Sequence, residues 1–146
     1  MAVSAFLYGT TQKNIADGTV TVDWDTDTIK VALTTNVYTP NQDTHAFFSD
    51  ITNEVTGAGY TAGGVTLGSK TVAYVGASNQ VQLDAADVQW TTATFTARYA
   101  IVYKSTGTAS TSPVIGYVDF GADVPVSAGI FTITWDSTGV VRYDVS

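Results

Sequence analysis

The sequence contains no cysteine and only six lysine and arginine residues among its 146 residues. Without cysteine, disulfides, thiolate metal sites and cysteine nucleophiles are excluded. The six cations are scattered along the chain, and the formal net charge is −7. Binding to nucleic acid depends on clustered cations that neutralise phosphates, and attraction to an anionic membrane depends on a polybasic segment. We therefore expect neither nucleic acid nor a membrane among the partners.

Long hydrophobic runs are also missing. No stretch approaches the roughly 18 apolar residues that a membrane span requires, and the N-terminal segment 1–9 lacks the positively charged region of a signal peptide. We expect a soluble protein that its own sequence does not export. The absence of cysteine fits folding in a reducing cytosol.

The residues that are abundant favour β structure. Threonine and valine are frequent and glutamate is rare, a composition that suits pleated, half-buried strands better than helices. Alternation of apolar and polar residues, with the period of two that places one face of a strand in the core, occurs in four segments: 19–24, 28–33, 94–103 and 130–135.

Turn-forming residues separate the predicted strands. Glycine, asparagine, serine and proline cluster between the alternating segments, where they predict hairpin turns and exposed loops. Three connections are predicted in this way: a hairpin turn at 76–79 between strands at 70–75 and 80–83, an exposed loop at 105–113 before a strand at 114–120, and a turn at 136–139 before a strand at 140–145.

About eight or nine short strands without a substantial amphipathic helix predict an all-β protein. We prefer an antiparallel β-sandwich, jelly-roll-like, over a closed barrel, because several segments are apolar on one face only. A single β domain is predicted over residues 1–146, with about residues 1–12 as an extended N-terminal arm. The long connection 36–61 contains one candidate for a short helix, at 44–51.

Asp23, Asp25 and Asp27 first suggest a calcium loop, since alternate carboxylates supply its oxygen ligands. The sixth position of an EF-hand loop requires glycine, and here it is Thr28. The twelfth requires a bidentate glutamate, and here it is Thr34. The EF-hand interpretation fails, and a different calcium site borrowing other loop oxygens is the remaining alternative. We interpret the segment as an acidic turn whose aspartates cap backbone N–H groups at a sheet rim.

Two further motifs also receive structural interpretations. His45, the only histidine, follows Asp43, but one imidazole without thiols makes a poor zinc site. We expect a loop histidine near a turn or helix start. The glycine-rich segment 57–64 differs from a dinucleotide fingerprint, because its third glycine comes one position late and a strand follows. It predicts paired tight turns with positive φ, anchored by a buried Tyr60.

Enzymatic chemistry finds little support. A glycosidase needs two paired carboxylates, and the spacing selects no pair from the five candidates. Trp90 and Trp135 could stack on sugars at a rim, but we expect them to anchor the core. No catalytic, cofactor-binding or metal-ligating residue is therefore assigned, and a small hydrolase remains the least supported alternative. The five candidate carboxylates are Asp84, Asp87, Asp119, Asp123 and Asp136.

Four segments resemble a family of small β-rich structural proteins of tailed bacteriophage virions, over about residues 6–135. Members are described as head decoration (cement) proteins or minor tail components. The resemblance implies a virion protein assembled in the bacterial cytoplasm, with the major capsid protein and copies of itself as partners, as a trimer. A tail or fibre component that binds host-surface glycans is the alternative. The segments are 23–35, 50–64, 96–104 and 115–121.

Overall fold

The computed structural model describes residues 2–146 as two antiparallel β-sheets and one α-helix. This is the all-β sandwich that the sequence predicts. The larger sheet has the strand order β1-β7-β6-β2-β3, and the smaller has the order β4-β5-β8. No helix within residues 2–146 combines the length and hydropathy needed to cross a membrane. The elements are β1 (Ser4–Leu7), α1 (Gly9–Ala16), β2 (Ile29–Thr34), β3 (Val65–Thr66), β4 (Thr71–Val75), β5 (Gln80–Asp84), β6 (Val88–Lys104), β7 (Val114–Ile133) and β8 (Val141–Asp144), with 3-10 turns at Phe48–Asp50 and Ala109–Thr111.

Two long strands form the centre of the larger sheet. β6 has 17 residues and β7 has 20, and they pair from Val88 opposite Ile133 to Tyr103 opposite Val114. Register shifts interrupt this pairing at four places, and such irregularities bend and twist a strand pair without ending it. The strand predicted at 114–120 is longer than expected, because β7 continues through Gly121, a residue with a φ of 79°, to Ile133.

The connections are largely as predicted. The hairpin at 76–79 joins β4 to β5, with Val75 opposite Gln80. The loop 105–113 is exposed over residues 106–111, whereas Ser112 and Pro113 are buried. The 3-10 turn at Phe48–Asp50 lies within the segment that suggested a short helix. The alternating segment 19–24, however, is not a strand. It is irregular and reaches a turn only at Trp24, because the indole of Trp24 enters the core as a single anchor and donates from Nε1 to the Asp84 carbonyl at 2.9 Å.

The N-terminal residues also differ from the extended arm expected over about residues 1–12. Over the described residues, β1 pairs antiparallel with β7, with Ser4 opposite Asp119, and α1 follows directly. The intervening Tyr8 is fully buried, and its backbone N–H donates to the Ile115 carbonyl at 3.1 Å. Burial of this one large side chain holds the segment against the domain.

Two hydrophobic clusters cover opposite faces of the larger sheet. The first lies between the sheets and includes Val31 of β2, Phe95 of β6 and Val141 of β8. The second lies on the outer face, where Tyr8 and Tyr38 pack with Ile101. β2 is consequently buried at nearly every position rather than at alternate ones, as expected for a strand covered on both faces.

Candidate functional site

In the acidic turn, aspartate carboxylates accept hydrogen bonds from backbone N–H groups of the same turn. Oδ1 of Asp23 accepts hydrogen bonds from the N–H groups of Asp25 and Thr26 at 3.1 and 3.2 Å. Hydrogen bonding from Thr26 lowers the pKa of Asp23. Asp27 pairs with Lys104 at 2.8 Å and accepts from the Asp23 N–H at the same distance. These carboxylates therefore cap the turn, as the sequence interpretation proposes, and join it to β6.

His45 belongs to a chain of hydrogen bonds. Its Nδ1 lies 2.8 Å from the Tyr38 hydroxyl, which lies 2.8 Å from the Tyr8 hydroxyl. The Asn41 N–H also donates to Nδ1, at 3.3 Å. Burial raises the pKa of Tyr38 to about 12, and burial together with the bond to Tyr38 raises the pKa of Tyr8 still further. The imidazole thus fastens the loop before Phe48–Asp50 to the outer face of the larger sheet.

The glycine-rich segment forms the predicted turns with positive φ. Gly57, Gly59, Gly63 and Gly64 all have left-handed φ values. A β-carbon at Gly64 would lie 1.8 Å from the Val31 carbonyl oxygen, so only glycine fits against β2.

Tyr60 anchors this segment, and its partner is a glutamate. The Tyr60 hydroxyl donates to Oε1 of Glu54 at 2.6 Å and accepts from the Leu33 N–H at 3.0 Å. The Gly63 N–H donates to the same carboxylate oxygen at 2.5 Å. Burial, followed by the bond to Glu54, raises the pKa of Tyr60. Sequence reasoning identified Tyr60 as the anchor but missed Glu54, although it is the only glutamate of the chain.

The five candidate carboxylates have separate partners. Hydrogen bonds from Arg98 lower the pKa of Asp119 and hydrogen bonds from Thr138 lower that of Asp136, whereas a general acid in a glycosidase needs a raised pKa. The structure therefore favours structural roles for these two side chains. The contacts are Asp84 with the Ala85 N–H, Asp87 with the Trp135 N–H, Asp119 with Arg98 and the Gly121 N–H, Asp123 with the Asn36 amide, and Asp136 with Thr138.

The two tryptophans have different environments. Trp90 is only 3% exposed and packs edge-on against Phe131 in the core, which confirms its role as an anchor. Trp135 is half-buried beside a groove, and its Nε1 donates to the Ala86 carbonyl at 3.1 Å. Of the two, Trp135 is therefore the side chain that an outside molecule could reach.

The groove beside Trp135 has a volume of about 870 Å³ and opens at one flank of the sandwich. One wall is formed by β1 and β7, and the other by the turn that precedes β8 and by β8 itself. Its floor includes the apolar side chains of Leu7, Val118 and Val141. Asp136 and Arg142 are its charged lining residues. The groove exists because three strands of the smaller sheet face five strands of the larger one.

Four of the exposed large apolar side chains lie at the edge strands β1 and β4; the others are Val37, Ile130 and Val145. Val72 and Tyr74 of β4 are 46% and 61% exposed, and Val3 and Phe6 at β1 are 64% and 43% exposed. β1 and β4 each end their sheet, so each has an unpaired backbone edge. The segment 71–83, which includes β4, contains no charged residue. Natural edge strands usually carry charge or proline that prevents pairing with another chain, and β4 carries neither.

Comparison of the chain with protein-family models, curated proteins and solved structures found no match. Among residues 2–146, no three His, Cys, Asp or Glu side chains are grouped so that they could hold a metal ion. The features that remain for function are the two free apolar edges and the groove. Sequence reasoning missed both, because strand order and sheet coverage depend on tertiary pairing.

Proposed function

We propose that this chain is a non-enzymatic structural protein of a tailed bacteriophage virion that decorates and stabilises the exterior of the head. The observation that carries the proposal is the position of the exposed apolar side chains on β1 and β4. Free edges with apolar side chains suit association by strand addition with neighbouring chains. The resemblance of the sequence to virion proteins is the reason for proposing a bacteriophage particle as the place of this association.

The partners of this proposal are the major capsid protein and further copies of the chain, arranged as a trimer. Many copies on one particle make a modest affinity sufficient, because each added contact is effectively intramolecular. The negative charge agrees with an outward-facing surface that does not contact the packaged genome.

A loss-and-restoration experiment on particles tests the decoration role. Particles assembled without the chain should lose infectivity at a lower temperature than complete particles. Addition of the purified chain should restore the heat resistance, and an equal mass of an unrelated acidic protein should not. Equal heat resistance with and without the chain would contradict stabilisation of the head.

The second candidate is a tail or fibre component that binds glycans on the host surface. The accessible position of Trp135 beside the groove favours it, because aromatic faces are common platforms for apolar ligand surfaces. Glycan-array binding that disappears in Trp135→Ala but survives in Trp90→Phe would support this candidate. Absence of glycan binding by the parent chain would contradict this second candidate.

A further inference from the structure

The smaller sheet leaves part of the larger sheet uncovered. Leu7 of β1 packs into the core between the sheets, and the alternation of side chains along a strand places Ala5 on the same face. Val3, one step further, continues this pattern and is largely exposed. β8 is the last strand of the smaller sheet, and it borders the groove over these residues. One more strand along β8 would cover them.

β4 has the side chains that this position requires. Val72 lies opposite Leu83 of β5, which lies opposite Val141 of β8. Because directly opposed residues share a face of a sheet, Val72 belongs to the face that packs against the larger sheet. Tyr74 is on the same face, two residues along. Both extend beyond the edge of the core and are exposed within their own copy.

We propose that β4 of one copy occupies the groove of a second copy, where it pairs with the free edge of β8. Val72 and Tyr74 of the first copy then cover Val3, Ala5 and Leu7 of the second. This contact specifies how copies of the chain associate with one another, and its biological setting rests on the proposed function. The partner is a second copy of this chain, and each copy contributes one donor strand and one acceptor groove.

The groove has the shape that an added strand requires, because strands border it on both sides. β1 and β7 form one wall, and β8 belongs to the other. Strand addition supplies backbone hydrogen bonds, and the side chains on one face supply specificity.

Charge also favours this pairing. Two copies with a net charge of −7 each repel one another over most of their surfaces. The segment 71–83 is uncharged, and the charged lining residues of the groove, Asp136 and Arg142, have opposite signs. The donor strand and the groove are therefore surfaces where this repulsion is weak.

The proposed contact is heterologous, because different surfaces of the two copies meet. Such a contact repeats from copy to copy and either closes into a ring or continues as a filament. A ring closed after three copies would be the trimer of the proposed function. An isologous dimer, in which β4 pairs with β4 of its partner, is the competing arrangement.

Cross-linking of single-cysteine variants separates these arrangements, because the parent chain has no cysteine. Val72→Cys protein is mixed with Val3→Cys protein and treated with a short bismaleimide. We expect a dimer that contains one of each variant. Thr108→Cys, in the exposed loop 105–113, serves as the control and should not cross-link to Val3→Cys. Efficient cross-linking of Val72→Cys to itself, or no cross-linking above the control, would overturn the proposal.

Sedimentation velocity of the full chain supplies a measurement that needs no cross-linker. The parent should associate as its concentration rises, and Val72→Lys should raise the concentration at half-association at least tenfold. Ala73→Lys adds the same charge on the opposite face of β4 and should have a smaller effect. A parent chain that stays monomeric at millimolar concentration would overturn the proposal.

The proposed function and this contact can fail separately. If the chain associates through β4 but is absent from virions, the proposed contact is supported and the virion role is contradicted. If the chain is abundant in virions but Val72→Cys and Val3→Cys do not cross-link, even on the particle, the virion role is supported and the contact is contradicted.

Discussion

The hydroxyl group of Tyr38 lies 2.8 Å from Nδ1 of His45. Since the Asn41 N–H donates to the same nitrogen, Nδ1 acts as an acceptor, and the Tyr38 hydroxyl donates to it while accepting from Tyr8. This directional chain passes from a buried phenol to the only histidine. It holds the loop that covers the outer face of the larger sheet, and it makes the stability of that face sensitive to alkaline pH.

Removal of the Tyr38 hydroxyl tests this sensitivity. Burial raises the pKa of Tyr38 to about 12, compared with about 10 in an unfolded chain. The neutral phenol therefore contributes stability that is fully present below pH 10 and is lost as the pH rises from 10 to 12. In Tyr38→Phe, we expect the alkaline loss in the free energy of unfolding to be smaller by about 2–3 kcal/mol. Urea unfolding at several pH values measures it, and identical alkaline profiles would contradict the account.

Substitution of Gly64 tests the close approach of the glycine-rich segment to β2. A β-carbon would meet the Val31 carbonyl oxygen at 1.8 Å, and φ is 73°. We expect Gly64→Ala to lower the free energy of unfolding by about 2 kcal/mol or more, because a carbonyl in a sheet cannot move aside. Gly18→Ala is the matched control, since Gly18 has a φ of 76° and its β-carbon would enter open space. Equal stability of the two variants would show that Gly64 tolerates a side chain.

Glu54 should be the strongest polar contributor to the same segment. Its carboxylate accepts from the Tyr60 hydroxyl and the Gly63 N–H. Glu54→Ala leaves both donors without this acceptor, and we expect a loss of about 2–4 kcal/mol at neutral pH. Asp43→Ala, which removes an exposed carboxylate, serves as the control. Thermal unfolding measures the stability of both variants. An equal loss of stability in Glu54→Ala and Asp43→Ala would contradict a special role for Glu54.

The ion pair between Arg98 and Asp119 predicts a response to acid. Hydrogen bonding from Arg98 lowers the pKa of Asp119 below its usual value. The charged carboxylate therefore contributes stability that is present above about pH 4 and is lost as the pH falls through the lowered pKa. We expect Asp119→Asn to be less stable than the parent at pH 7 and to lose less stability on acidification. A parallel decline of the two proteins from pH 5 to pH 2 would contradict this.

The sequence predicted the sandwich because local patterns reflect which strand faces are buried. The hairpin between β4 and β5 followed from turn residues between two alternating segments. The buried anchor Trp90 and the partly buried anchor Tyr60 followed from their size. The segment 19–24 shows the limit of this reasoning. Its alternation resembles a strand, but the insertion of Trp24 into the core determines its conformation.

The candidate surfaces could not be predicted in the same way. Val72 and Tyr74 alternate like the side chains of any half-buried strand, and only the strand order places β4 at an edge. The groove likewise results from the unequal number of strands in the two sheets, which no local pattern specifies. Glu54 was missed for a related reason, since its partner Gly63 is brought to it by a turn.

Quantitative mass spectrometry of purified virions tests the central claim most directly. The account predicts that the chain is a component of the particle, with a copy number of the same order as that of the major capsid protein. Absence from the particle would contradict a virion role altogether. A copy number in single digits per particle would contradict decoration of the head and would favour a tail component.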